Sequence, residues 1–234
     1  MDPVKPVGRF APTPSGRMHL GNLFSALLAW LSVKSRDGEM VLRMEDLDTQ
    51  RTSRAYARIL REDLQWLGLT WDRETPAQSQ RTEVYDRYFD ILKEKGLLVE
   101  DNGAQIVKLD EYDLPPALIK KSDGSTLYIT RDIAAAVYRK ETYDFYKNIY
   151  VVASQQNLHF QQWFKVIELM GYDWAKDCVH VPFGLVSMED GTMSTRQGRV
   201  VFLEDVLNRA VEQTKQIILE KNVTTENIDE TAHD

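Results

Sequence analysis

Two short stretches carry residues suited to phosphate chemistry: His19-Leu20-Gly21-Asn22 early in the chain and Met193-Ser194-Thr195-Arg196 late in it. A helix N-terminus offers unpaired N–H groups and the positive end of a dipole. A glycine there lets an anion lie against the backbone, and a histidine adds a donor. The residues before His19 supply that setting. Gly8-Arg9-Phe10-Ala11 reads as a strand, and Pro12-Thr13-Pro14-Ser15-Gly16 as a loop whose prolines and glycine forbid regular structure. A lone HxG triplet more often marks a surface histidine ahead of an ordinary helix than a ligand-binding one, so its context decides.

The elements around these stretches alternate. A helix starting near Leu20 carries Leu23, Leu27, Trp30 and Leu31 at helical spacing and ends at Asp37-Gly38, before the strand Met40 to Met44. Helices follow at about 53 to 67 and 80 to 95. Asn102-Gly103 and Pro115-Pro116 then break the pattern and imply a hairpin and a loop. Alternation resumes with strand 126–129, helix 133–139, strand 149–153, helix 160–170, strand 179–185, a strand-like 200–202 and a helix from about 204 to 221. Strands alternating with helices predict an α/β fold of Rossmann-like type, with a mostly parallel sheet covered on both faces. The divisions expected are a first half over 1–98, a connective insert over 99–125, a second half over 126–222 and an acidic tail over 223–234.

Composition narrows the function. With 234 residues, 43% of them hydrophobic, the chain can bury one large domain's core. A net charge of −7 argues against nucleic-acid binding by bulk electrostatics, so any RNA contact must be local, through residues such as Arg51, Arg54 and Lys121. The single cysteine, Cys178, forms neither an intrachain disulfide nor a zinc cluster and reads as a small core residue, which fits a reducing, cytoplasmic setting. No protein-held metal is expected. The apolar run LFSALLAWL is too short to span a bilayer. A dinucleotide-binding oxidoreductase is disfavoured by the lack of GxGxxG after the first strand.

The run RFAPTPSGRMHLGN, followed by LRMEDLD and QSQRTEVY, resembles the glutamyl-tRNA synthetases and their shortened relatives, the glutamyl-queuosine tRNA(Asp) synthetases, over residues 7–98. From 102 to 222 the resemblance changes. LPPALIKKSDGSTLYITRDIAAAVYR, YVVASQQNLHFQQWFKVIELMGY and HVPFGLVSMEDGTMSTRQGRVVFLEDVL are similar to the arginyl-tRNA synthetase catalytic domain. The chain thus reads as a chimera of two class I aminoacyl-tRNA synthetase half-signatures. The glutamate-type half implies that Arg9 binds a side-chain carboxylate while Ala11, Thr13 and Glu45 surround an α-amino group. The arginine-type half implies that Tyr128, Asp132 and Gln156 surround an arginine, with Asp132 paired to a cation. Both halves imply an ATP site made by Thr13, His19, Gly21, Asn22, Met193, Ser194 and Arg196. Of these, His19, Asn22, Ser194 and Arg196 would serve catalysis, with Mg²⁺ assisting. The implied partners are ATP, an amino acid and, weakly, a tRNA acceptor end. No helical anticodon-binding domain like the one that follows in the arginine family is expected.

Two features cut against this expectation. Thr192 and Gln197 stand where KMSTRKG-like loops carry lysines, and each lost phosphate donor costs roughly 10²- to 10³-fold in such chemistry. Arg9 favours an anionic amino acid and Asp132 a cationic one, so one charge is always unfavourable unless Arg9 and Asp132 pair. The expected activity is ATP-dependent amino-acid activation with arginine slightly preferred over glutamate. The alternative is an engineered or chimeric class I synthetase fold that binds ATP with little or no turnover.

Overall fold

The computed structural model describes residues 5–124, 128–184, 187–188, 191–192 and 202–221. Strand β1 (Val7–Phe10) runs into the proline loop and then helix α1 (Leu20–Lys34), which returns to strand β2 (Glu39–Leu42). β2 lies parallel to β1, with Val7 opposite Glu39 and Phe10 opposite Leu42. A return through a crossover such as this helix is what a parallel pair requires. Helix α2 (Arg54–Trp66), capped by the Ser53 hydroxyl accepting from the Tyr56 N–H at 3.1 Å, leads to the short strand β3 (Arg73–Glu74), parallel to β2.

Helix α3 (Thr82–Glu94) precedes an antiparallel sheet of β4 (Val99–Asp101), β5 (Ala104–Val107) and β6 (Ala117–Lys120). Asn102 and Gly103 both have positive φ, 49° and 79°, as the expected tight hairpin demands. The chain continues through α4 (Tyr128–Tyr143), β7 (Asn148–Ala153), α5 (Asn157–Leu169) and β8 (Cys178–Phe183), with β7 and β8 parallel. Ser187–Met188 (β9) and Gly191–Thr192 (β10) pair antiparallel, and α6 (Leu203–Glu220) closes the described fold. The α/β alternation and the parallel β1–β2–β3 and β7–β8 pairings match the expected Rossmann-like architecture, while the 99–120 insert is antiparallel.

The expected strand over 126–129 is overturned. Tyr128 and Ile129 begin α4, and the strand lies earlier, at β6. Residues 126 and 127 lie outside the described residues; the run Thr126 to Thr130, rich in β-branched and aromatic types, looks strand-like locally, but Ile129, Ile133, Ala134, Ala136 and Val137 bury with helical periodicity, so packing overrides propensity. In α1 the expected apolar stripe is also only partly inward. Leu27 and Leu31 are exposed whereas Val33 is buried, because this helix is apolar nearly all round. Of the strand-like 200–202, only Phe202 is described, bridged to His19.

The apolar core of the described residues falls into two clusters. One gathers Phe10, Met40, Leu42, Leu60 and Leu64 with Leu203 from α6. The other gathers Tyr88 and Leu92 of α3 with Ile119, Ile133, Trp163 and Ile167. The seam between them lies before α3, and the boundary of resemblance at 98–102 falls beyond it.

Gly38 sits where β2 approaches the chain entering β1. A Cβ there would overlap the Pro6 carbonyl oxygen and come within 2.7 Å of Val33 Cγ1, and neither a backbone atom nor a buried valine yields easily. Gly16, in the proline loop, has no atom within 4 Å of such a Cβ. Gly38→Ala should therefore lower stability by about 1–3 kcal/mol in denaturant unfolding, and Gly16→Ala should stay close to the parent.

Candidate active site

The strand–loop–helix start is tied to its neighbours by backbone bonds. Arg43 N–H donates to Phe10 C=O, Glu45 N–H to Pro12 C=O and Ser53 N–H to Pro14 C=O, each at 3.0 Å, and Leu203 N–H donates to Met18 C=O at 3.2 Å. These bonds continue β2 beyond Leu42 as an extended segment and fix the loop that cannot hydrogen-bond through its prolines. Ala11 and Thr13 are left exposed on the loop's outer side.

His19 is the N-cap of α1. Its N–H donates to Asn22 Oδ1 at 3.2 Å, which turns the Asn22 side chain so that the amide N–H groups remain for a ligand. The His19 Nδ1 is buried without a hydrogen-bond partner among the described residues, beside Gly21. A Cβ at Gly21 would come within 3.3 Å of the His19 ring, so this glycine is what lets the ring fold over the helix start. Burial pushes the His19 imidazole below its ordinary value.

The charged floor lies at the carboxyl ends of β1 and β2. Arg43 donates to Glu45 Oε1 through Nε at 3.0 Å and also through Nη2, and Arg9 Nη1 donates to the same oxygen at 3.3 Å. No bond to Oε2 is formed among the described residues. Burial, then Arg139 and Arg43, push the Arg9 guanidinium down to about 9, with Glu45 opposing. The Arg9 side chain remains 29% exposed, and it stays charged at neutral pH. Arg139 Nη1 donates to the Tyr150 hydroxyl at 2.7 Å, and Asn148 Nδ2 donates to that oxygen at 2.7 Å. Burial pushes the Tyr150 phenol up to about 12, and both Asp132 and Arg9 act on it electrostatically.

Asp132 faces this floor from α4, and its Oδ2 lies 2.6 Å from His159 Nε2 on α5. The pairing of Arg9 with Asp132 weighed from sequence does not form, because Arg9 is engaged by Glu45 and Asp132 by His159. Tyr128, at the start of α4, is 67% exposed, with the Arg131 guanidinium 5.5 Å from its ring centre. Gln156 is exposed in the turn entering α5. Met193, Ser194 and Arg196 lie outside the described residues.

Arg43, Arg139, Tyr150 and His159 belong to this arrangement and were not singled out from sequence. Two of them had a signal. Arg43 and Glu45 are two apart on an extended segment, and Asp132 and Arg139 are seven apart on a helix, so each pair shares a face. Cys178 is buried, its thiol pushed up to about 11, in keeping with a core residue. Among the described residues no group of three or more His, Cys, Asp or Glu side chains could hold a metal, and no helix is long and apolar enough to cross a membrane. Arg51, Arg54 and Lys121 are exposed.

Two measurements follow from this electrostatic picture. Because the folded His19 value lies below the unfolded one, the unfolded chain binds more protons as pH falls below the ordinary histidine range, so stability is lost there and is intact above it. His19→Gln should narrow the difference in thermal midpoint between pH 7 and pH 5. Arg9→Gln removes one of three clustered guanidiniums while Arg43 still holds Glu45. It should raise preference for arginine over glutamate roughly tenfold or more in competition binding.

The sequence comparisons identify the family. The family model for the class I (R) tRNA synthetase catalytic domain matches residues 31–233, on both sides of the 98–102 boundary. The arginine--tRNA ligase of Halothermothrix orenii is 64% identical over 166 residues, 71% of this chain and 29% of that protein. The one from Clostridioides difficile is 67% identical over 153 residues, 65% of this chain and 27% of that protein. The chain therefore spans under a third of the length of these curated relatives. Among solved structures, the arginyl-tRNA synthetase of Thermus thermophilus superposes with a TM-score of 0.68 at 16% identity, over 97% of this chain and 56% of that one. A glutamate tRNA ligase from Elizabethkingia meningosepticum, in complex with its amino acid, gives 0.65 at 20% identity, over 83% and 52%. These likenesses establish the fold, and the family match establishes membership: the chain belongs to the class I (R) tRNA synthetase catalytic domain family.

Proposed function

We propose that this domain activates arginine with ATP, forming arginyl adenylate and pyrophosphate, and that the activated residue can pass to the 3′ end of a tRNA. The observation that carries this reading is the separation of charge in the site. Asp132, free of Arg9, remains available to a cationic side chain, while Glu45 keeps one oxygen for an α-ammonium group. The high identity to arginine--tRNA ligases supports the same substrate.

In this reading a carboxylate oxygen of arginine attacks the α-phosphorus of ATP in line. A new O–P bond forms as the bond to the bridging oxygen breaks, and pyrophosphate leaves with the electron pair. The protein positions the reactants and stabilises the leaving charge. The neutral His19 ring and the outward Asn22 amide hold the triphosphate from the α1 side, where Gly21 admits it to the helix N-terminus and Thr13 flanks it. Met193, Ser194 and Arg196, matched to the late loop by resemblance alone, would serve the same phosphates, with Arg196 carrying charge where Thr192 and Gln197 carry none. Tyr128 and Gln156 complete the arginine pocket beside Asp132. Mg²⁺ would be held by the nucleotide's own phosphates and would neutralise phosphate charge. The acidic balance predicts weak, local tRNA contact, and the reducing, cytoplasmic setting read from the sequence suits the reaction.

The test is amino-acid-dependent ATP–pyrophosphate exchange. Arginine should support exchange above glutamate and the other amino acids, and His19→Ala with Arg196→Ala should abolish it. ATP binding without exchange would instead establish the inactive reading that Thr192 and Gln197 favour.

A further inference from the structure

We infer that His159 is a positioning residue for arginine selection, holding the Asp132 carboxylate away from the cations of the site; this rests on the reading of Asp132 as the cation-binding group. The Asp132–His159 bond joins α4 to α5, two helices that pack together, yet neither side chain belongs to the buried core. The Asp132 side chain is 39% exposed and that of His159 23%, so the pair borders open space next to the Tyr150 hydroxyl.

The alternatives open to Asp132 explain why such a tether matters. Arg139 shares its helix face two turns on, Arg131 is its chain neighbour, and Arg9 completes the cationic floor. An untethered carboxylate could turn toward these guanidiniums, and the resulting internal ion pair would cancel the one negative group offered to a cationic substrate. An imidazole tied to one carboxylate oxygen prevents that. It occupies Oδ2 and leaves Oδ1 to accept from an incoming guanidinium. Arg139 is itself committed to the Tyr150 hydroxyl, which also accepts from Asn148.

The experiment measures arginine and ATP affinity of the 234-residue chain by calorimetry, alongside thermal midpoints, for His159→Gln, His159→Phe and Asp132→Asn. Glutamine retains an N–H donor, whereas phenylalanine fills the space without one. His159→Phe should weaken arginine on the order of tenfold with ATP affinity unchanged, and His159→Gln should stay within about threefold of the parent. A helix tie with no role in selection would shift the thermal midpoints and leave arginine affinity alone in both variants; with Asp132→Asn still weakening arginine, that result overturns the role of His159. Unaltered arginine affinity in Asp132→Asn would instead remove the reading on which the inference rests.

Discussion

Glu45 is the group on which the site depends. Its carboxylate stands at the end of the β2 extension and accepts from both Arg43 and Arg9 on a single oxygen. Arg43 is almost fully buried, and a guanidinium in that position is tolerable only with its charge met and its donors used. The same segment carries the backbone bonds that hold the proline loop, and that loop delivers His19 to the start of α1. The amino-acid floor and the nucleotide side are therefore built from one continuous piece of chain. Disturbing the carboxylate would leave two clustered guanidiniums to repel one another and release the loop they border.

Beyond Glu45, the site is organised by keeping opposite charges apart. Arg9 and Arg43 gather around Glu45 on the β1 and β2 side, Asp132 and Arg139 both come from α4, and the Tyr150 phenol feels Arg139, Asp132 and Arg9. Arg9 and Arg43 share Glu45 Oε1 while Asp132 is held by His159, so Arg9 and Asp132 are not joined in an ion pair, and the bonds offset the cost of the partly desolvated groups. This arrangement also explains how motifs resembling two synthetase specificities occupy one fold without collapsing into an ion pair.

Much of this was legible in the sequence, and the misses have physical causes. The βαβ start was readable because Pro12 to Gly16 and Gly38 interrupt the chain where turns must be, and the Asn102-Gly103 hairpin because its φ values suit few other residues. The start of α4 was not, since Thr126 to Thr130 favour a strand locally and only the burial of Ile129, Ile133, Ala134 and Val137 in the second core makes the stretch from Tyr128 onward helical. Arg9, Glu45 and Asp132 were recognised by type and motif, but their actual partners were hidden. Arg43 sits among apolar neighbours in a strand, and His159 lies 27 residues from Asp132, joined to it only when α5 packs on α4. Pairing across elements is a tertiary fact that local pattern does not encode.

The central claim is that this separated charge selects a cationic amino acid once it is activated. Calorimetric titration of the chain with two unreactive sulfamoyl analogues, of arginyl adenylate and of glutamyl adenylate, tests it directly, since such analogues engage the nucleotide and amino-acid parts of the site together. Tighter binding of the arginyl analogue is the result predicted by this account. Tighter binding of the glutamyl analogue, or equal affinity for both, would contradict it.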